Sequence, residues 1–294
     1  MTQKPAMKTL PREYTHRRLM KRLYVGGQYF FAIIITLIAL FPLYWMLISS
    51  LKTTEELLLS RPTFWPQNLF TEAYGRVLQK FPLVQYMTNS LIVTIACTLI
   101  QVVTGVLAAY AFSKGDFPGK NVLFVLILGA LMIPIQVTFI PTYLMIARWG
   151  WINTYIGMIV PEAVSAYFIF MLRQNFKAVD DSYLDAGRVD GMGRIGIIVH
   201  VLVPMNKPTI VTVTVISLIN GWNSYFWPKM IITTNSLRPV SIALREMFIS
   251  YAPNEILVYN EIMAASLMCI VPVVVLFLLC QKYILTGFSK AAMK

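Results

Sequence analysis

Side chains able to do chemistry are few in this chain, and they are not grouped as a catalyst would need them. Cys97, Cys269 and Cys280 lie far apart in apolar stretches, lack metal-ligand spacing, and read as small packing residues. His16 and His200 are too scattered for a metal site. Gly115-Asp-Phe-Pro-Gly119-Lys120-Asn121 comes closest to a phosphate loop, but it is one residue short. Asn121 also stands where the magnesium-holding hydroxyl belongs, so the segment reads as a tight turn. No paired carboxylates and no nucleophile with an adjacent base occur within an apolar stretch. Glu162, next to Pro161, is the single ionisable residue well inside one. It is either a proton site, as an ion-coupled carrier needs, or a polar residue lining a pathway; its isolation favours the second.

The most informative polar stretch is Asp185-Ala186-Gly187-Arg188-Val189-Asp190-Gly191, followed by a mostly apolar run to Pro204. Asp180-Asp181-Ser182 is a good helix start, and Ser182 with Asp185 approaches a capping box. Gly191 suits the left-handed position that closes a short helix, with Asp190 beside it favouring the turn. Residues 192–203 form a second helix that Pro204 and Pro208 stop. The two helices are expected to meet at a sharp elbow. Ala186, Gly187 and Gly191 leave little bulk there, so a partner can approach the backbone closely. The plainer reading is a surface hairpin that only reverses the chain.

The elements that position these residues follow from composition. Of 294 residues, 57% are hydrophobic and 13% charged, about half the charge of a soluble domain, and the mean hydropathy is +0.65. Apolar stretches long enough to cross a bilayer fall at 29–49, 89–112, 121–144, 154–172, 209–231 and 262–285. The net charge of +12 does not mark a nucleic-acid binder, because the basic residues are distributed by side. Lys4 to Arg22, Lys114, Lys120, Arg173, Lys177, Arg188, Arg194, Lys207, Lys282, Lys290 and Lys294 fall on one side. The opposite segments, 50–88 and 232–261, mix Lys and Arg with Glu55, Glu56, Glu72, Glu246, Glu255 and Glu261. This is the positive-inside pattern, which places both termini in the cytoplasm. The first apolar run is too long for a signal peptide and lacks a small-x-small cleavage site, so it reads as an uncleaved span.

The expected organisation is a basic cytoplasmic segment 1–27, a membrane domain 28–288 containing the loop 180–208, and a cytoplasmic tail 289–294. Pro42, Pro134 with Pro141, Pro161, Pro228 and Pro272 fall in or at the end of five spans. Bent helices at membrane depth favour a pathway over a plain anchor. Span five carries Asn220, Trp222, Asn223, Tyr225 and Trp227. On a continuous helix Asn220, Asn223 and Trp227 share a face, while Trp222 and Tyr225 turn away. Asn and aromatic groups suit sugar hydroxyls and ring faces, although Trp and Tyr also form interfacial belts. Asn89 either faces the pathway or caps span two. No Lys or Arg lies mid-membrane, which favours a neutral cargo.

Asp185-Ala-Gly-Arg-Val-Asp-Gly191-Met, with Val201-Leu-Val-Pro204, resembles the EAA loop of ABC-importer permeases. Asp185 replaces Glu and Gly187 replaces the second Ala of that pattern. Asn89-Ser-Leu-Ile-Val, Ala108-Ala-Tyr-Ala-Phe-Ser-Lys114, Pro134 with Pro141, Leu172-Arg-Gln-Asn-Phe176 and Gly221-Trp-Asn-Ser-Tyr-Phe-Trp-Pro228 are similar, in order, to MalG-like permeases of carbohydrate importers. The resemblance covers nearly everything after the first 25 residues. It implies an all-α membrane protein, a type I importer permease of six transmembrane helices, with a coupling helix between helices 4 and 5. It implies a non-catalytic subunit of the bacterial inner membrane, surrounded by lipid and paired with a MalF-like permease. A cytoplasmic ATPase dimer would bind ATP and magnesium, and an extracytoplasmic binding protein would deliver cargo. No cofactor and no nucleic acid is expected on this chain. The Gly221–Pro228 run is also similar to that of glycerol-phosphate permeases, so an anionic sugar derivative stands as the alternative cargo. An ion-coupled carrier is the rival from another class.

Overall fold

A computed structural model describes residues 12–250 and 258–292, and every regular element among them is helical. Residues 1–11 of the expected N-terminal segment, residues 293–294 of the expected tail, and Glu255 lie outside the described residues.

Three helices are long and apolar enough to cross a membrane alone: α1 (Arg12–Ser50), α2 (Leu83–Lys114) and, at the end of the chain, Tyr259–Ala292. Three further spans are each built from two helices bent at a short break. The first pairs α3 (Lys120–Met132) with α4 (Ile135–Arg148) at 102°, and the second joins α5 (Tyr155–Ile159) to α6 (Ala166–Lys177) at 41°. After α7 (Asp181–Val189), the third pairs α8 (Arg194–Met205) with the run Lys207–Ile231, itself α9 (Lys207–Trp222) followed by α10 (Phe226–Ile231), at 85°. Outside the spans lies α11 (Val240–Ser250), and α12 (Tyr259–Ala292) closes the chain. Counting each bent pair once gives six. The expected boundaries at 27/28 and 288/289 fall inside α1 and α12, because the helical pattern runs on through the basic flanks.

Proline chemistry locates the breaks. The residue before proline is pushed out of the α region, and Ile133 is extended (φ −81°, ψ 120°) before Pro134 ends α3. Pro161 sits in the 3₁₀ turn Val160–Glu162, and the helix restarts where Ser165 accepts a hydrogen bond from Phe168 N. Pro42, Pro141 and Pro272 lie inside uninterrupted helices. Pro204 does not stop the second loop helix as the sequence suggested. It occupies the tolerated first turn of Val203–Met205, and the chain turns instead at Asn206.

α2 is the central strut. Small residues let its neighbours approach, as membrane interfaces require. A Cβ on Gly105 would lie 3.2 Å from Phe168 of α6, and one on Gly221 of α9 would lie 3.3 Å from the Thr94 backbone. One buried cluster joins Val106 and Ala109 of α2 to Leu172 and Phe176 of α6 and to Leu184, Ile197 and Leu202 of the loop.

Candidate functional site

At one end of the bundle α7 and α8 form the elbow. Asp180 caps α7 by accepting from Ser182 N at 2.9 Å. That bond holds its carboxyl below the usual carboxylate range. The cap is thus Asp180, not Ser182, because the aspartate is placed before the first turn. Gly191 closes α7 at φ +79°. Met192 N then reaches Gly187 O (2.9 Å) and Gly191 N reaches Arg188 O (3.0 Å), which satisfies carbonyls the helix end would leave free.

The elbow has two sides. Leu184, Gly187, Ile197, Ile198 and Leu202 are buried. Tyr183, Val189, Ile195 and Val199 are exposed large apolar residues, with Val189 at 87%, and Ala186, Asp185, Asp190 and Gly191 are exposed beside them. Of the three small residues expected at the contact surface, Gly187 therefore faces inward, toward Met192, Ile197 and Val201. Asp185 pairs with Arg188 at 2.7 Å along the exposed face. Lys114, at the foot of α2, holds Val179 O and Asp181 Oδ1, each at 2.6 Å. Arg173 of α6 donates to Phe112 O at 3.1 Å and lies 3.7 Å over the Phe124 ring.

At mid-length, a cavity of about 390 Å³ opens among α2, α6, α9 and the α5–α6 break. Glu162 and Asn220 both line it, with Gln101, Ser165, Ser217 and Ser224. Gln101 donates to Glu162 O and accepts from Ser217 Oγ at 2.6 Å, and Ser217 lies 3.1 Å from Thr98 Oγ1. Sequence reasoning passed over Thr98, Gln101 and Ser217. The available signal was Thr94, Thr98 and Gln101 spaced four and three apart in span two, on one helix face.

The other candidates part company. The one-face argument for Asn220, Asn223 and Trp227 fails because α9 ends at Trp222 and the helix restarts at Phe226. Asn223 lines a separate cavity of about 400 Å³ with Trp222, Ser241 and Ser266. Trp227 is buried and donates to Gly157 O at 3.1 Å. Tyr225 is half-buried beside Phe226, with Arg245 5.5 Å above its ring. Asn89 lies inside α2, which starts at Leu83, so it is no cap. It is buried, donates to Ser236 O and Arg238 O (2.8 and 3.0 Å), and accepts from Tyr155 Oη (2.7 Å).

Comparison with known proteins gives consistent likenesses. Residues 101–289 match the family described as "Binding-protein-dependent transport system inner membrane component". The chain is 28% identical over 263 residues to the arabinooligosaccharides transport system permease protein AraQ of Halalkalibacterium halodurans, covering 88% of this chain and 93% of the relative. It is 31% identical over 264 residues to the sn-glycerol-3-phosphate transport system permease protein UgpE of Yersinia pestis, covering 87% and 92%. Among solved structures, its fold matches a chain of a bacterial ABC transporter involved in the import of the acidic polysaccharide alginate. That match has a TM-score of 0.78 at 23% identity, over 94% of this chain and 99% of the other.

Proposed function

We propose a role that proceeds from one premise: the chain belongs to the family of binding-protein-dependent transport system inner membrane components. It is a transport permease subunit, multi-pass in the inner membrane and not itself catalytic. In our reading it forms half of the translocation pathway of a carbohydrate ABC importer, with a second, MalF-like permease as the other half. An ATPase dimer in the cytoplasm binds ATP and magnesium and drives the cycle through the loop 180–208. A binding protein outside delivers cargo, and both termini lie in the cytoplasm. Relatives named for arabinooligosaccharide and sn-glycerol-3-phosphate transport support a sugar or sugar derivative as cargo. Glu162 and Asn220 are the pathway residues best supported, because they share one cavity with neutral hydrogen-bonding groups.

The observation that carries this reading is the two-sided elbow. Its inner side is locked to α2 and α6, while Tyr183, Val189, Ile195 and Val199 stand exposed on its outer side. A small apolar surface rigidly joined to the membrane helices can receive a push and pass it on. Gly191→Asp tests it. Nothing lies within 4 Å of a Cβ at this position, and aspartate is among the non-glycine residues enriched in left-handed backbone such as this one, φ +79°, so the added charge projects into the docking surface. ATP-driven uptake is expected to fall at least about tenfold and ATPase co-purification to weaken, with membrane insertion unchanged. Normal uptake with a normally bound ATPase would sink the docking role.

A further inference from the structure

The cavity shared by Glu162 and Asn220 carries a sign. Glu162 is its charged lining residue, and no Lys, Arg or His lines it among the described residues. The other polar groups are neutral: Gln101, Ser165, Tyr167, Ser217, Asn220 and Ser224. Gln101 gives one of its two amide N–H groups to the Glu162 backbone carbonyl. The one element of opposite sign is the amide end of α6, and Ser165 already accepts from one of its N–H groups, that of Phe168. The carboxyl therefore shares the cavity with neutral lining groups only, Ser224 among them, and with open space.

A cleft lined by one sign of charge, with low-dielectric walls, concentrates ions of the opposite sign by about 10- to 1,000-fold and excludes those of like sign. We infer that Glu162 sets the charge of what this cavity accepts: uncharged and amine-bearing sugars enter, while uronates and sugar phosphates are turned away. The inference rests on the translocation reading above. It separates this chain's cargo from the anionic compounds named for two of the proteins it is similar to, alginate and sn-glycerol-3-phosphate. The lining fits an uncharged hydroxylated ring, since Asn220 and the three serines can both donate and accept, and an amine on that ring would gain Glu162 as a counter-ion.

The test works whatever the cargo is. In the complete importer reconstituted into lipid vesicles, Asn220→Cys places a thiol on the cavity wall, where residue 220 is exposed. The probes are a cationic trimethylammonium-ethyl methanethiosulfonate and its anionic sulfonatoethyl counterpart. Labelling at position 220 is read by peptide mass spectrometry, so the native cysteines can stay. Each rate is divided by that of the same reagent with a free thiol. The cation is expected to label about tenfold faster than the anion. Adding Glu162→Gln, which keeps the side chain's shape, should bring the ratio within about twofold. Equal rates with Glu162 in place, a faster anion, no labelling by either reagent, or a ratio that Glu162→Gln leaves unmoved each overturn the inference. Binding-protein-stimulated ATP hydrolysis by the unsubstituted importer reports the translocation reading separately. If stimulation is present and the labelling rates are equal, only the charge filter fails; if stimulation is absent, the translocation reading itself fails.

Discussion

Lys114 and Asp181 join the foot of the central strut to the start of the elbow: Lys114 Nζ lies 2.6 Å from Asp181 Oδ1, and equally close to Val179 O. The lysine is nearly buried (8% exposed) while the aspartate is 75% exposed. The ammonium thus sits at the end of α2, where a cation complements the helix carbonyls, and reaches across to hold the entry of α7. Its partners are one exposed carboxylate and one fixed carbonyl. The fixed carbonyl sets the geometry, and the carboxylate adds a solvent-screened contribution of about 1 kcal/mol or less.

Lys114→Met should therefore loosen the elbow more than it destabilises the bundle. ATP-driven uptake is expected to fall several-fold while thermal stability changes by about 1 kcal/mol. Hydrogen exchange at the amides of residues 181–184 should rise. Asp181→Asn alone should have a much smaller effect on uptake, since the Val179 bond survives it. Equal effects of the two substitutions would place the function in the ion pair and not in the clamp.

Gly187 and Gly191 are four residues apart and predict opposite outcomes. A Cβ on Gly187 would meet Met192, Ile197 and Val201 at 3.5–3.7 Å, which is ordinary contact. Gly187→Ala should then be accepted and should stabilise α7 by about 0.5–1 kcal/mol. Gly191 has open space around it but a φ of +79°. Gly191→Ala should cost about 1 kcal/mol from backbone strain alone. Thermal denaturation of the detergent-solubilised protein would show the two shifts in opposite directions; shifts of the same sign would contradict the assigned geometry.

How legible this fold is in its sequence depends on whether a residue type forces the backbone. Gly191 is legible because a glycine after Asp190 at a helix end has few other uses, and the six apolar stretches because a bilayer demands their length. The break in span five is not, although its cause is visible: Pro228 cannot donate to the carbonyl four residues back and crowds it. That carbonyl belongs to Ser224, at the break, and it accepts instead from Ser241 Oγ at 2.6 Å. Ser241 lies on α11, and nothing local to residues 220–228 announces such a partner. Asn89 is ambiguous for the same reason, since its bonds to Ser236, Arg238 and Tyr155 come from 66 to 149 residues away. Gln101 and Ser217 share a cavity wall only because α2 and α9 cross closely.

That crossing supplies the last prediction. Gly221 brings α9 against the Thr94 backbone, and Gly105 lets Phe168 of α6 approach, so two glycines set the spacing on two sides of α2. Both contacts include an atom that the backbone fixes, the Thr94 Cα at 3.3 Å and the Phe168 Cβ at 3.2 Å, so neither can swing aside. Neither site has room for a larger group without displacing a helix. Overpacking at such a site costs about 1–3 kcal/mol, and here the displacement would also move Thr98 and Gln101 relative to Ser217. Gly221→Val should therefore destabilise the protein by about 2–3 kcal/mol and reduce uptake beyond what the lost stability explains, because the cavity wall shifts with α9. Gly105→Ala should cost less, about 1 kcal/mol, and leave uptake nearly intact, because a single methyl asks α6 to shift by only a few tenths of an ångström. Paired thermal melts and uptake rates would check this, and a Gly221→Val protein of normal stability would show that α2 and α9 do not need this close approach.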